Sequence, residues 1–323
     1  MPGVTAVTRR TVLGGIAAGA AAAAAAAHAV AGPQPLTVRQ LSERGWFVGD
    51  GGYNNLVLVG DHGLVLCDAP PSYGTRLTAA LRQISDLPVT HLLYSHEHVD
   101  HIAGAGAITP RPEIIASEAT AVQLRRRADP ARPVPTRTVR NHEVVTLQGM
   151  PVEIVTGPPA HCIDTTYIRV PGEGLLMAVD LIYPGWMPYK NLGDSIDLPG
   201  VVEAHETMLA MDWRTLVAGH VDRTGTREDV EVSLELYRDL AESAQRQYAA
   251  LSFPQYLAAT PSPLTSWERH ELYETELVKR MVADVRPRWI NRLKGVDTYL
   301  ADNCWAMLET LVVQGAPKFG ARR

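Results

Sequence analysis

The sequence of 323 residues predicts an α/β fold: two sheets covered by helices, followed by a helical C-terminal extension. Three observations support that expectation. Apolar, β-branched runs of strand length recur at residues 45–68, 89–94, 113–116, 144–155, 165–179 and 215–218. Stretches with helical spacing, at 76–84, 117–127 and 198–211, are interleaved with them. Past residue 220 the chain turns charged and helical in spacing to its end. A hydrophobic fraction of 46% against 20% charged residues supplies a large core. The length suits one large domain with an extension, or two domains.

The first 31 residues stand apart from that fold. Thr8-Arg9-Arg10-Thr11-Val12-Leu13-Gly14 is a twin-arginine pattern, alanine fills positions 20–27, and Ala29-Val30-Ala31 offers a small-x-small cleavage site. A charged start, a mildly apolar middle and a small-residue end read as a twin-arginine export signal, which predicts a periplasmic or extracellular protein. A general secretory signal or a membrane anchor are the alternatives. The alanine-rich stretch is weakly hydrophobic and short for a stable span, so no membrane span is expected after signal removal. Cleavage would remove Arg9 and Arg10 and no acid, leaving 28 basic against 35 acidic residues. That balance, with no basic patch interleaved with aromatics, argues against a nucleic-acid partner and for a small-molecule substrate.

The remaining elements follow in order. Residues 45–68 read as a β-hairpin whose loop, 49–55, is rich in turn formers. Residues 70–74 read as a loop, and Leu77, Leu81 and Ile84 give 76–84 its helical face. After the strand 89–94, the small residues 102–107 suit the opening of a helix. Ser117 can cap a helix running to Arg127, and the prolines of 130–135 break it. Pro199 is tolerable in the first turn of a helix over 198–211. Helical spacing returns from Arg227, from Ser266 to about Val285, and from Val296 to Val313. The division expected is a signal at 1–31, a catalytic domain at 36–225 and a helical extension at 226–323. The extension forms a cap or homodimer surface, or equally a scaffold layer packed on the core.

The densest chemistry lies in Ser95-His96-Glu97-His98-Val99-Asp100-His101. Packing imidazoles and carboxylates this closely without a cation gains little, and these are the donors that zinc accepts. The run follows a strand, where α/β sheets usually place their sites. His96 and His98, two apart, point the same way if extended, while Asp100 and His101 turn aside.

This run resembles the signature of the metallo-β-lactamase superfamily. The resemblance calls for further donors after later strands, and the sequence has His161 in Gly157-Pro158-Pro159-Ala160-His161-Cys162, Asp180 after 175–179, and His220 after Ala218-Gly219. It implies a four-layer αβ/βα sandwich with two zinc ions per chain, iron or manganese being alternatives. His96, His98 and His161 would hold the first ion. Asp100, His101 and His220 would hold the second, with Asp180 bridging. A hydroxide shared by the ions would be the nucleophile, oriented by Asp100. Asp68 resembles the carboxylate that supports such ligands from beneath, or is a surface acid at a strand end.

Tyr183, three residues after Asp180, resembles the tyrosine with which lactonases of the superfamily assist the substrate carbonyl or leaving group; otherwise it lines an apolar pocket with Trp186 and Tyr189. Lys190 and Arg223 are either carboxylate-binding or solvated surface charges. Cys67, Cys162 and Cys304 are too few for a disulfide framework; Cys67 suits a buried strand, and Cys162 approaches the metals or fills space. The expected activity is zinc-dependent hydrolysis of a small ester-like bond, a lactone or carboxylic ester first. A β-lactam or thioester is the alternative within the fold. An iron-dependent persulfide dioxygenase-like oxidoreductase, or a non-catalytic metal-binding protein, is the alternative from another class.

Overall fold

A computed structural model describes residues 34–320. The expected export signal, residues 1–31, lies outside the described residues. Seven strands pair in sequence order in the first sheet: β1 (Thr37–Gln40), β2 (Gly45–Gly49), β3 (Asn54–Val59), β4 (Leu64–Cys67), β5 (Val89–Leu93), β6 (Glu113–Ser117) and β7 (Arg137–Val139). The first four are antiparallel, and β4 to β7 run parallel. The second sheet has the order β12-β11-β10-β9-β8, formed by β8 (His142–Leu147), β9 (Met150–Thr156), β10 (Thr166–Val170), β11 (Leu175–Ala178) and β12 (Thr215–Val217).

Strand alternation builds the layers. In β4, Val65 and Cys67 face the second sheet while Leu64 and Leu66 face outward, as the period of two requires. Leu175 and Met177 of β11 meet them across the inter-sheet core, and Leu176 and Ala178 point the other way. The outer face of the first sheet is covered by α1 (Arg76–Ile84) through Leu77 and Ala80, by α2 (Val99–Ile102) through Ile102, and by α3 (Glu118–Arg127) through Leu124. Ser117 caps α3 by accepting the Thr120 N–H. The outer face of the second sheet shares a core with α5 (Leu198–Ala210), α6 (Arg227–Ala250), α8 (Ser266–Trp289) and α9 (Val296–Val313). The short α7 (Phe253–Ala259) links α6 to α8, and α4 (Lys190–Asp194) is a turn whose Asn191, Leu192 and Gly193 have left-handed backbones. The result is the four-layer αβ/βα sandwich, with C-terminal helices that belong to its fourth layer.

Local differences from the sequence reading have physical causes. Residues 45–68 form three strands rather than a hairpin, because Gly60 N–H reaches back to Gly63 O and closes a second turn at Gly60-Asp61-His62-Gly63. The helix expected to open at 102–107 instead starts at Val99, with His98 as its N-cap, and only a 3-10 turn covers Ala105–Ala107. β1 and β7 are short edge strands that periodicity does not mark. No described helix is long and apolar enough to cross a membrane.

Candidate metal centre

The strand ends of both sheets converge on one point. His96 and His98 lie in the loop after β5, and Asp100 and His101 stand on α2. His161 follows β9, Asp180 follows β11, and His220 follows β12. Two carboxylates sit at strand ends with left-handed backbones: Asp68 at φ 64° and Asp180 at φ 59°. Aspartate tolerates that region better than most residues. Gly219 is required for a different reason. A Cβ there would stand 2.8 Å from Asp180 Oδ1 and 2.9 Å from His101 Cε1, so any side chain would push the donors apart.

All seven expected donors come together. His96, His98, His161 and Asp180 form one group and Asp100, His101 and His220 a second, with the donor atoms of each within 4.8 Å of one another. Donors at 2.0–2.1 Å around a tetrahedral cation should be about 3.4 Å apart. His98 Nδ1 and His161 Nε2 are 3.0 Å apart, and Asp180 Oδ2 lies 3.3 Å from His161 Nε2 and 3.6 Å from His96 Nε2. In the second group His101 Nε2 is 3.0 Å from Asp180 Oδ2 and 3.6 Å from Asp100 Oδ2, and His220 Nε2 is 3.1 Å from Asp180 Oδ1. One carboxylate therefore reaches both groups: Oδ2 meets donors of each, and Oδ1 meets His220 of the second.

The donor atoms are also aimed. Ser95 Oγ–H and N–H both donate to Asp68, leaving Ser95 Oγ to accept from His96 Nδ1 at 2.8 Å. His161 Nδ1–H donates to Gly193 O at 2.8 Å, and His220 Nδ1–H to Gly52 O at 2.8 Å. With those nitrogens protonated, the Nε2 lone pairs of His96, His161 and His220 face inward, the arrangement a metal ligand needs. His96 Nε2, His101 Nε2 and Asp180 Oδ1 are buried with no aligned hydrogen-bond partner. Buried polar atoms left so are costly unless a cation meets them. Burial holds the His96 and His161 imidazoles below their ordinary range, in the neutral form that coordinates. Burial also opposes charge on Asp180, yet His101 and His220 keep its carboxyl well below the usual range. These residues fit a pair of metal ions.

Several neighbours were not singled out by sequence. Tyr53, from the turn before β3, packs edge-on to His101 and against His220, and burial and the neighbouring Asp100 push its phenol up. Glu97 lies inside the histidine run but points away, into a buried ion pair with Arg132 at 2.9 Å; Arg132 also donates to the Glu97 carbonyl. That contact spans 35 positions, so no local pattern announces it. Asp68 supports the site through Ser95 rather than by touching an imidazole directly. Tyr183 lines the cavity and stacks on His220, rings 6.0 Å apart and 13° from parallel. Arg223 is held twice by Asp229, and Lys190 is exposed. Cys162 Sγ lies 3.4 Å from Thr165 Oγ1, and burial and Asp164 push its thiol well up. The cysteines Cys67, Cys162 and Cys304 are free and buried.

The chain matches the Metallo-beta-lactamase superfamily over residues 48–243. It is 27% identical over 227 residues to the 2,4-dinitroanisole O-demethylase subunit alpha of Nocardioides sp. (strain JS1661), covering 67% of this chain and 68% of that one. The beta subunit of the same name and organism is 25% identical over 251 residues, covering 74% of each. The fold is similar to a metallo-beta-lactamase from Pontibacter korlensis, with TM-score 0.52 and 20% identity over 62% of this chain and 97% of that one. It is likewise similar to the metallo-beta-lactamase FIM-1 from Pseudomonas aeruginosa in its mono-zinc form, with TM-score 0.52 and 16% identity over 62% and 94%. A sandwich of this topology, a converging His/Asp cluster and a match over more than half its length make this chain a member of the metallo-β-lactamase superfamily, whose members are generally metal-dependent hydrolytic enzymes.

Proposed function

We propose that this chain is a zinc-dependent hydrolase of a small ester-like bond, a lactone or carboxylic ester. The observation that carries the reading is Asp180, whose two oxygens serve both donor groups, beside an Asp100 that stays 44% exposed. Both residues line an open cavity of about 750 Å³. Two bound ions would acidify a water and polarise a carbonyl at neutral pH.

The chain's own residues supply the rest. Asp100, which neighbours Tyr53, accepts a hydrogen bond from the attacking water and orients it. Burial and the nearby Asp180 hold the Tyr183 phenol well above its ordinary range, so it keeps its proton and donates to the substrate oxygen. Water adds to the carbonyl carbon, the carbon–oxygen bond breaks, and the departing alcohol takes up a proton. A second reading has support in the names of the two relatives. An activated aryl methyl ether could be cleaved by water to a phenol and methanol in the same cavity.

One panel tests both: a lactone, an aryl ester, a thioester, a β-lactam and 2,4-dinitroanisole. Turnover that a chelator removes and zinc restores is expected, with the preferred bond fixing the branch. Asp100→Ala should lower kcat by about 10²–10⁴ while leaving the circular dichroism spectrum unchanged. Turnover indifferent to chelator, or none on any substrate, would overturn the hydrolase reading in favour of iron-dependent oxidation or metal binding alone.

A further inference from the structure

The cavity above the donor atoms has a lining that an ester bond alone does not explain. Its walls carry Tyr183, Trp186, Tyr189 and Tyr299, the last contributed by α9. The Tyr189 and Tyr299 rings are 5.5 Å apart at 56°. Gly295, at φ 73°, lets the others converge, since a Cβ there would lie 3.1 Å from Trp186 Cε3 and 3.0 Å from Tyr299 Cδ2. Aromatic walls of this kind favour a flat apolar group, because offset and edge-on ring contacts add to the area buried.

The charge of the lining is one-sided. Its acids are Asp100, Asp180, Asp194 and Asp222, and among the described residues no lysine or arginine lines it. Asp100 and Asp180 belong to the donor groups. Asp194 and Asp222 are exposed, and so stand at the rim. Lys294 lies 5.5 Å from the Trp186 ring but lines a separate hollow behind it. Arg223 is occupied by Asp229. A substrate with a carboxylate or sulfonate would meet two like charges at the mouth and find no lysine or arginine on the wall, the cations being confined to the ions at the floor, where Asp100 and Asp180 would hold them. An ammonium group would in turn meet the charge of the ions bound at the floor.

We propose that the substrate is an uncharged molecule bearing a flat aromatic group, seated against Trp186 and Tyr299, and that Asp194 and Asp222 turn anionic analogues away. This rests on the hydrolase reading but is testable apart from it. Calorimetry on the zinc-loaded protein compares nitrobenzene, 4-nitrobenzenesulfonate and phenyltrimethylammonium. Kinetics compare phenyl acetate with 4-acetoxybenzenesulfonate. Saturable binding of nitrobenzene is expected, with the sulfonate weaker by about tenfold or more and the same order in kcat/KM. Tyr299→Leu should weaken nitrobenzene by about two- to tenfold through loss of ring contact. The double variant Asp194→Asn/Asp222→Asn, altered only at exposed positions, should close the gap between neutral and anionic probes. Equal binding of the sulfonate, tighter binding of the ammonium probe, or an unchanged gap in the double variant would overturn the proposal. Nitrobenzene binding without turnover of any ester would sink the hydrolase reading and leave the aromatic cavity standing.

Discussion

Ser95 determines how His96 meets a cation. Its hydroxyl donates to Asp68 Oδ2 at 2.6 Å, so its lone pair is left for the His96 Nδ1–H. Replacing it with alanine removes the acceptor that fixes the His96 tautomer and costs Asp68 one contact, the backbone N–H of residue 95 still donating to Oδ1. Partners of this kind typically contribute 10–100-fold to metal affinity. Ser95→Ala should therefore lower zinc affinity by about that factor in a chelator competition, with an unchanged fold; an unaltered affinity would show that His96 is oriented by packing alone. The run from His96 to His101 was legible because so many donors fall together after a strand, and His161, Asp180 and His220 because its resemblance to the superfamily calls for donors after later strands. Ser95, Tyr53 and the Glu97–Arg132 pair were not. Each acts through a contact whose partner lies in another element, and a serine or tyrosine beside a turn looks like any other.

Among the elements, α9 does more than cover a sheet. Asn303, fully buried, accepts the Leu192 N–H at 2.7 Å and donates to Pro188 O at 3.0 Å. Those two bonds hold the left-handed turn 191–193, whose Gly193 carbonyl orients His161. A fold element from the extension thus positions a donor of the metal centre through one asparagine. Asn303→Leu keeps the branching and the number of heavy atoms but strands the Leu192 N–H, and a buried unsatisfied donor costs about 1–3 kcal/mol. The expected result is a lower melting temperature together with weaker zinc binding. Loss of stability with zinc affinity intact would mean that the turn keeps its shape without α9. Helical spacing gave α9 its bounds, Val296–Val313, from sequence. It could not show this role, since an asparagine on a mostly apolar helix carries no mark of which loop it will meet. The same limit applies to α2: small residues suggested a helix after the histidine run, but one starts within it, at Val99.

At the scale of the whole molecule, stability depends on joining the second sheet to the helices that follow it. The described residues from 35 to 320 belong to one compact unit, and the fourth layer is stitched by a histidine. His205 of α5 is fully buried, donates from Nδ1 to Val201 O at 2.7 Å, and accepts at Nε2 from Ser233 Oγ of α6 at 2.8 Å. Its ring packs against Tyr237 at 5.2 Å. Burial pushes its pKa down to about 4, against the Val201 bond, which favours the charged form. In the unfolded chain the same imidazole titrates near 6.5. Between those values the unfolded state binds more protons, so stability from this group is complete above pH 6.5 and is lost as pH falls toward 4. The shift corresponds to about 3 kcal/mol over that window, as an upper figure. The metal donors also titrate in acid, which would obscure the slope in one protein measured alone. Comparing wild type with His205→Gln cancels that contribution, because both chains carry the same centre. Urea unfolding of the two at pH 7.5, 6, 5 and 4 should show the wild-type advantage greatest at pH 7.5 and shrinking by up to about 3 kcal/mol toward pH 4. An advantage that stays constant across the series would mean that His205 takes up a proton in the folded protein as readily as in the unfolded chain, and that the α5–α6 joint does not depend on its neutral imidazole.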